Sequence, residues 1–378
     1  MNKTLVIVAL SLLVNLISSA QVVYSERLVQ LAQQGNLDAQ LYLAKFYRDG
    51  TGGVSQDIQK ALYWYHKAAD QGSDYAQYYL GFIPFDGMGG TAQDYEQAVF
   101  WFRKAADRGF SAAQFMLGQC YERGWGITKD PSQAFSWYQK AAVQNQLDAL
   151  LHLGLFYEKG EGVQQDYHKA VEYYRKAFDA GNEVAAFYLG KCYYSGIGVA
   201  QDYATAASWY RKSAEKGFVF GQIYLGECYE KGEGVVQDYS QALQWYRKAA
   251  DHSGQAAKVA QYYIGRCYLE GKGVDKDYKS AYEWLSKCND LPMAMASLGE
   301  MYYQGYYVTQ DKNKAFEIFK KAAEASNGPS GDAMIRLSTC YRFGYGTTKD
   351  LEKAEYWLKR AQERGSDEAN AIKQLLGF

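Results

Sequence analysis

The residues of this chain that are able to do chemistry are few and poorly spaced for it. The four histidines, His66, His152, His168 and His252, form no HExxH arrangement and no Cys/His ligand spacing, so no metal site is expected. Ser213-Ala214-Glu215-Lys216 matches the S-x-x-K of acyl-transfer serine enzymes, yet neither S-D-N nor K-T-G accompanies it. No G-x-S-x-G, P-loop or dinucleotide fingerprint occurs, and no catalytic residue, cofactor site or enzymatic activity is expected. Charge is balanced, 41 Lys and Arg against 42 Asp and Glu, which leaves no electrostatic footprint for nucleic acid or an anionic membrane. The unusual feature is 36 Tyr and 37 Gly beside only 4 Pro in 378 residues.

The elements that carry these residues are set by a repeat. A small residue, three positions, Leu-Gly, two positions, Tyr, two positions and Gly recur, as in Ala113, Leu117-Gly118, Tyr121 and Gly124. The closing glycines are Gly50, Gly87, Gly124, Gly160, Gly196, Gly232, Gly271, Gly305 and Gly344, spaced 34 to 39 residues apart, which makes nine copies. Each copy predicts two helices. Helix A carries one apolar face, for example Ala260, Ile264, Cys267 and Tyr268. Its interior Gly costs about 1 kcal/mol against Ala and points to close approach by a neighbouring helix. The closing Gly suits the left-handed end of helix A. Helix B starts at an Asp in all nine copies, from Asp57 to Asp350, which suits the free N–H groups of its first turn. It ends in an aromatic pair, a basic residue and small residues, as in Trp245-Tyr246-Arg247-Lys248-Ala249-Ala250.

Cys120, Cys192, Cys228, Cys267 and Cys340 share one helix A slot that other copies fill with Phe46, Ile83, Phe156 and Met301. That interchange marks a buried apolar slot. Equivalent helices lie about 8–10 Å apart and a disulfide needs Cα atoms within about 7 Å, so free thiols are expected. Cys288, on helix B of the seventh copy, leaves pairing with Cys267 open.

The phrase A-x-x-x-L-G-x-x-Y-x-x-G-x-G-V-x-x-D-x-x-x-A-x-x-W-Y-x-K-A-A, which Gly226 to Ala250 fit almost residue for residue, resembles the Sel1-like repeat, a relative of the tetratricopeptide repeat. The resemblance implies an all-α, right-handed α-solenoid of helix-turn-helix repeats that serves as a protein-interaction scaffold. Exported bacterial members resemble factors that pathogens use on host cells. Cysteine-rich members cross-link their helix pairs, and this chain lacks their regular two cysteines per repeat. The expected organisation is a signal peptide over 1–20, an N-terminal capping helix over 21–36, nine repeats over 37–366 and a C-terminal capping helix over 367–378. The signal rests on the apolar run Leu5 to Ile17 followed by Ser18-Ser19-Ala20. It implies a periplasmic or secreted protein with no integral membrane segment after cleavage, and a monomer is expected.

Slots that vary between copies report solvent or a ligand. One such slot of helix A reads Tyr42, Tyr79, Met116, His152, Tyr188, Tyr224, Tyr263, Ser297 and Arg336. The slot three residues on includes Lys45, Lys191 and Arg266 and shares its face. By analogy with tetratricopeptide folds, these residues line a concave groove. Three irregularities stand out: Pro84, expected to break its helix early; Trp125 between two loop glycines; and Tyr306-Tyr307 in place of a loop Gly. The longer connections at 252–257 and 326–331 are expected to loosen the stack. The expected function is an exported scaffold that binds protein partners, host proteins during pathogen entry or trafficking. An ER-lumenal adaptor of protein degradation and a β-lactam or cell-wall hydrolase are the alternatives.

Overall fold

The structure, a computed structural model, describes residues 23–325, 328 and 330–364. The expected signal peptide (1–20) and C-terminal cap (367–378) lie outside the described residues. Nineteen α-helices and no strand occur among the described residues, and consecutive helices pack in pairs. This is an all-α solenoid of helical repeats. The chain divides into two compact units, one ending at Asn182 and the other starting at Glu183.

Unit 1 opens with α1 (Glu26–Gln33), capped by the Ser25 hydroxyl. Four A/B pairs follow: α2 (Leu37–Asp49) with α3 (Ile58–Asp70), α4 (Asp74–Asp86) with α5 (Tyr95–Asp107), α6 (Ser111–Arg123) with α7 (Pro131–Val143), and α8 (Leu147–Lys159) with α9 (Tyr167–Asp179). Unit 2 holds five pairs. They are α10 (Val184–Ser195) with α11 (Tyr203–Glu215), α12 (Val219–Lys231) with α13 (Tyr239–Ala250), α14 (Gln255–Glu270) with α15 (Tyr278–Lys287), α16 (Pro292–Gln304) with α17 (Lys312–Ala323), and α18 (Gly331–Phe343) with α19 (Leu351–Glu363).

Local chemistry sets both ends of the A-to-B turn. Every closing Gly of helix A is left-handed, with φ between 65° and 77°, a region that costs Gly nothing. Every helix B begins at its Asp, whose side chain accepts first-turn backbone N–H groups. The same Asp donates its own N–H back to helix A, for example Asp130 N to Tyr121 O at 2.9 Å. The turn is thereby closed from both sides.

The pair is held by a ring against a missing side chain. A Cβ built on Gly118 would stand 2.6 Å from the ring of Tyr138, and one on Gly226 would stand 2.5 Å from Tyr246. Equivalent approaches pair Gly190 with Tyr210 and Gly299 with Phe319. Where helix A has its interior Gly, that Gly is the seat of the second residue of the helix B pair, while Ala44 and Ser338 hold the position in the first and last repeats; Tyr65, Tyr138, Tyr174, Tyr210 and Tyr246 are among the largest fully buried side chains. The first aromatic of the pair supports the basic slot: Lys140, Lys212, Lys248 and Lys287 sit 3.7–3.9 Å above Trp137, Trp209, Trp245 and Trp284, a cation–π arrangement on an exposed helix face.

Two expectations fail. α4 runs through Pro84 to Asp86, although proline removes one intrahelical bond. Pro84 is buried in the last turn, and its carbonyl still receives the Asp94 N–H at 2.9 Å, as the Tyr carbonyl does in other repeats. The extra residues at 252–257 do not all form a connection: α14 starts at Gln255 and takes the last three of them, so it is 16 residues long where most A helices have 13. In the other long connection, 326, 327 and 329 lie outside the described residues.

Candidate functional site

Three slots of helix A, eight, five and two positions before its closing Gly, supply the contacts recorded between neighbouring A helices within a unit, such as Arg48 with Tyr79, His152 with Glu122 and Tyr263 with Glu227. In unit 2, successive A helices touch (α12 with α14, α14 with α16, α16 with α18). The last of these slots, holding Arg48, Glu122, Glu158 and Glu230, was not singled out from the sequence. It carries the polar partner of the buried helix B tyrosine. Arg48 donates to the Tyr65 hydroxyl (3.1 Å), while Tyr138 and Tyr246 donate to Glu122 (2.6 Å) and Glu230 (2.9 Å), and Tyr174 donates to Glu158. A signal for it exists in the sequence. Where helix B offers Phe102 or Leu285 in place of Tyr, this slot holds Phe85 or Leu269, but in the last two repeats Phe319 and Leu358 go with Tyr303 and Arg342, so the signal is partial. Tyr210 departs from it too: its slot partner is Tyr194, and its buried hydroxyl has no hydrogen bond.

In unit 1, Tyr42 is exposed (39 %), as is Lys45. With Lys45, Asp38, Leu41 and Tyr75 it lines a cavity of about 300 Å³. Tyr79 stacks on Tyr65 (centroids 5.3 Å) under the Arg48 guanidinium at 4.0 Å. His152 lies against Tyr138 (4.9 Å) and Phe115 (5.4 Å), and its Nδ1 donates to Glu122 at 3.1 Å. Burial pushes the Glu122 carboxyl up, but hydrogen bonds from His152 and Tyr138 outweigh it and hold the group at about 2.

In unit 2, Tyr188 packs edge-on to Phe187 (5.3 Å) with Lys191 above its ring at 5.6 Å. Tyr224 packs on Tyr210 (5.3 Å) and Tyr263 stacks on Tyr246 (4.7 Å). Tyr263 also donates to Glu227 at 2.7 Å, and Arg266 pairs with Glu230 and, at 3.3 Å, with Glu270. Further along, Arg336 pairs with Glu300 at 3.1 Å beside Ser297 and Asp332, around a cavity of about 190 Å³. Within each unit the expected groove residues occupy the outward slots of the A helices, but Tyr79, Tyr224 and Tyr263 spend one side of the ring on a helix B tyrosine.

The loop aromatics differ from one another. Trp125 stacks on Tyr95 (5.9 Å) and meets Phe85 edge-on (5.3 Å). Tyr306 lies flat on Tyr278 at 4.4 Å. Tyr307 is left-handed at φ 64° and 54 % exposed. Ser213 is fully buried against Gly221, and Lys216 is ion-paired with Glu183 at 2.8 Å, so the S-x-x-K residues share no cleft. All six cysteines are buried, and Cys120, Cys228, Cys267, Cys288 and Cys340 are free thiols. Burial raises the Cys120, Cys228 and Cys288 thiols to about 12. No His, Cys, Asp and Glu cluster able to hold a metal ion occurs among the described residues, and no described helix is long and apolar enough to cross a membrane.

Helix pairs with a recurring frame and variable outward slots define a repeat scaffold of the protein-interaction type. The Sel1 repeat family matches nine stretches, residues 37–73, 74–110, 111–145, 147–182, 184–218, 219–253, 258–287, 292–327 and 331–366. The chain belongs to the Sel1-repeat family. It is similar to a protective antigen present in uropathogenic Escherichia coli strains, with 29 % identity over 94 % of each chain and a TM-score of 0.57. It is also similar to a Sel1 repeat protein from Oxalobacter formigenes, with 30 % identity, 89 % of this chain and 94 % of that one covered, and a TM-score of 0.59. No curated protein matches the chain.

Proposed function

We propose that this protein is an exported scaffold that binds partner proteins, host proteins among them, on the face lined by its A helices. The observation that carries this reading is the contrast between slots. The caps, the seat glycines and the helix B core repeat along the chain, while the outward slots change from Tyr42 and Lys45 to Ser297, Glu300 and Arg336. Aromatic and charged groups on a rigid frame suit protein hot spots, and specificity lies in such surface detail rather than in the fold. Export is supported by the apolar run and small residues of 1–20. A host-directed role draws on the similarity to the uropathogenic Escherichia coli antigen.

The full chain immobilised on beads is expected to capture a discrete set of proteins from a mammalian cell lysate. Tyr42→Ala with Lys45→Glu is expected to remove part of that set while circular dichroism stays unchanged, because both side chains are exposed. Capture that survives this variant and a matching Arg336→Glu change would move binding off the A-helix face. Export is checked separately: N-terminal sequencing of the mature protein is expected to begin at Gln21.

A further inference from the structure

One slot of helix B, two positions before its aromatic pair, holds apolar residues such as Val99, Phe135, Leu243 and Phe316 in most repeats. Where it is aromatic, it meets edge-on the Tyr that follows Leu-Gly in the next repeat. Phe135 lies against Tyr157 at 5.4 Å and 88°, and Phe316 against Tyr341 at 5.3 Å and 89°. In the seventh repeat the slot is Tyr282, which alone among the nine copies carries a hydroxyl there. Its ring stands 6.4 Å from that of Tyr302 at 80°, and the two hydroxyl oxygens are 3.1 Å apart.

The surroundings of the pair differ from the other repeats as well. Elsewhere the hydroxyl of this Tyr accepts from an Arg of the preceding helix B: Arg103 donates to Tyr121, Arg211 to Tyr229 and Arg247 to Tyr268, each at 2.9 Å. In α15 that slot is Ser286, and Lys314 of α17 donates to Tyr302 instead, at 2.9 Å. The Lys314 hydrogen bond holds the Tyr302 phenol below its ordinary 10, while the bond to Tyr302 pushes the Tyr282 phenol up. Tyr302 is therefore the easier of the two to deprotonate. Both rings are partly exposed. Cys288, the nearest thiol in sequence, is buried and raised to about 12, so it offers an oxidant little thiolate.

We infer that Tyr282 and Tyr302 form an oxidative cross-linking site, at which hydrogen peroxide acting through a haem peroxidase joins the two rings as dityrosine. Each phenol gives up one electron and its hydroxyl proton. The two phenoxyl radicals then form a carbon–carbon bond between positions ortho to the oxygens, and the two ring hydrogens at those positions return to the oxygens as the rings regain aromaticity. Peroxide takes up the two electrons and two protons and leaves as two waters. Hydroxyls held side by side suit this product, because the oxygens of dityrosine flank the new bond. The bond ties α15 to α16 and so staples the seventh repeat to the eighth within unit 2.

The test exposes the full chain, dilute enough to disfavour coupling between molecules, to a haem peroxidase with limiting hydrogen peroxide. Trypsin then separates Tyr282, on peptide 280–287, from Tyr302, on peptide 288–312. The expected result is dityrosine fluorescence in the monomer and one joined pair of these peptides, two hydrogens lighter than its parts, with fragment ions placing the bond on Tyr302. Tyr282→Phe is expected to abolish that pair while circular dichroism stays unchanged, since Phe fills the same slot in two other repeats. Chain unfolded in urea before oxidation is expected to lose the preference for this pair. The inference is overturned if no joined pair forms, if the pair persists in Tyr282→Phe, or if the bond falls on Tyr303, Tyr306 or Tyr307. It is overturned as well if unfolded chain gives as much of the pair, or if Tyr24 and Tyr47, whose hydroxyls stand 3.4 Å apart, couple in greater yield.

Discussion

A tyrosine seated beneath a glycine has one polar atom to place, and the repeats place it unequally. Tyr246 gives its hydroxyl to Glu230, whereas the Tyr210 hydroxyl is buried without a partner. Tyr246→Phe is therefore expected to cost about 1–2 kcal/mol, and Tyr210→Phe to be neutral or to stabilise by up to about 1 kcal/mol; thermal unfolding of the two variants compares them directly. Equal losses would mean that water or another group satisfies Tyr210. A second pair at the same scale is Ser213 and Gly221, where most repeats have two alanines. A Cβ on Gly221 would stand 2.6 Å from the Ser213 hydroxyl. Gly221→Ala alone is expected to destabilise by about 1–3 kcal/mol through overpacking. Ser213→Ala with Gly221→Ala should at least restore wild-type stability, since it also removes a helical Gly worth about 1 kcal/mol. A double-mutant cycle with no coupling would show that the two sites do not compensate.

At the scale of the element, the A-to-B unit is written in local chemistry, which is why so much of it is legible. The closing Gly, the cap Asp and the Leu-Gly pair each answer one backbone or packing demand, and each recurs at nearly fixed spacing. What the sequence pattern misread was the response of an element to its neighbours. Pro84 suggests an early helix end, but its carbonyl is held by Asp94; the residues at 252–257 suggest a loop, but the last three of them extend α14. The cap chemistry predicts an acid response with a definite sign. Backbone N–H groups lower the carboxyls of Asp57, Asp166 and Asp350 below the ordinary 3.8, and for Asp202 and Asp277 the hydroxyls of Thr205 and Ser280 lead the effect. A lowered folded-state pKa gives stability that is present above the unfolded value and is lost as pH falls through the folded one. Glu122, held at about 2 against an ordinary 4.5, sets a window from about 4.5 down to about 2. The melting temperature should stay level as these carboxyls remain ionised and then drop steeply within that window. The drop should be smaller in a His152→Gln variant. A level profile down to pH 2 would show that neither caps nor Glu122 hold lowered values.

For the whole molecule, the face of the A helices was legible as a set of slots but not as a surface. Tyr42 and Tyr263 occupy the same slot, yet Tyr42 is open while Tyr263 lies flat on Tyr246 and donates to Glu227. The difference is made by the preceding B helix and the neighbouring A helix, which a motif read one copy at a time does not contain. The same nearest-neighbour logic governs how damage spreads. A repeat array is held by contacts within a copy and to adjacent copies only, so a core defect should loosen its own pair most and fade with each copy. In Gly221→Ala, hydrogen exchange is expected to rise first in α11 and α12, less in α10, α13 and α14, and not measurably in α18 and α19. Uniform acceleration throughout unit 2 would instead mean that its five pairs unfold as one cooperative body, and the stability of the proposed binding face would then be set by the unit rather than by the copy that carries it.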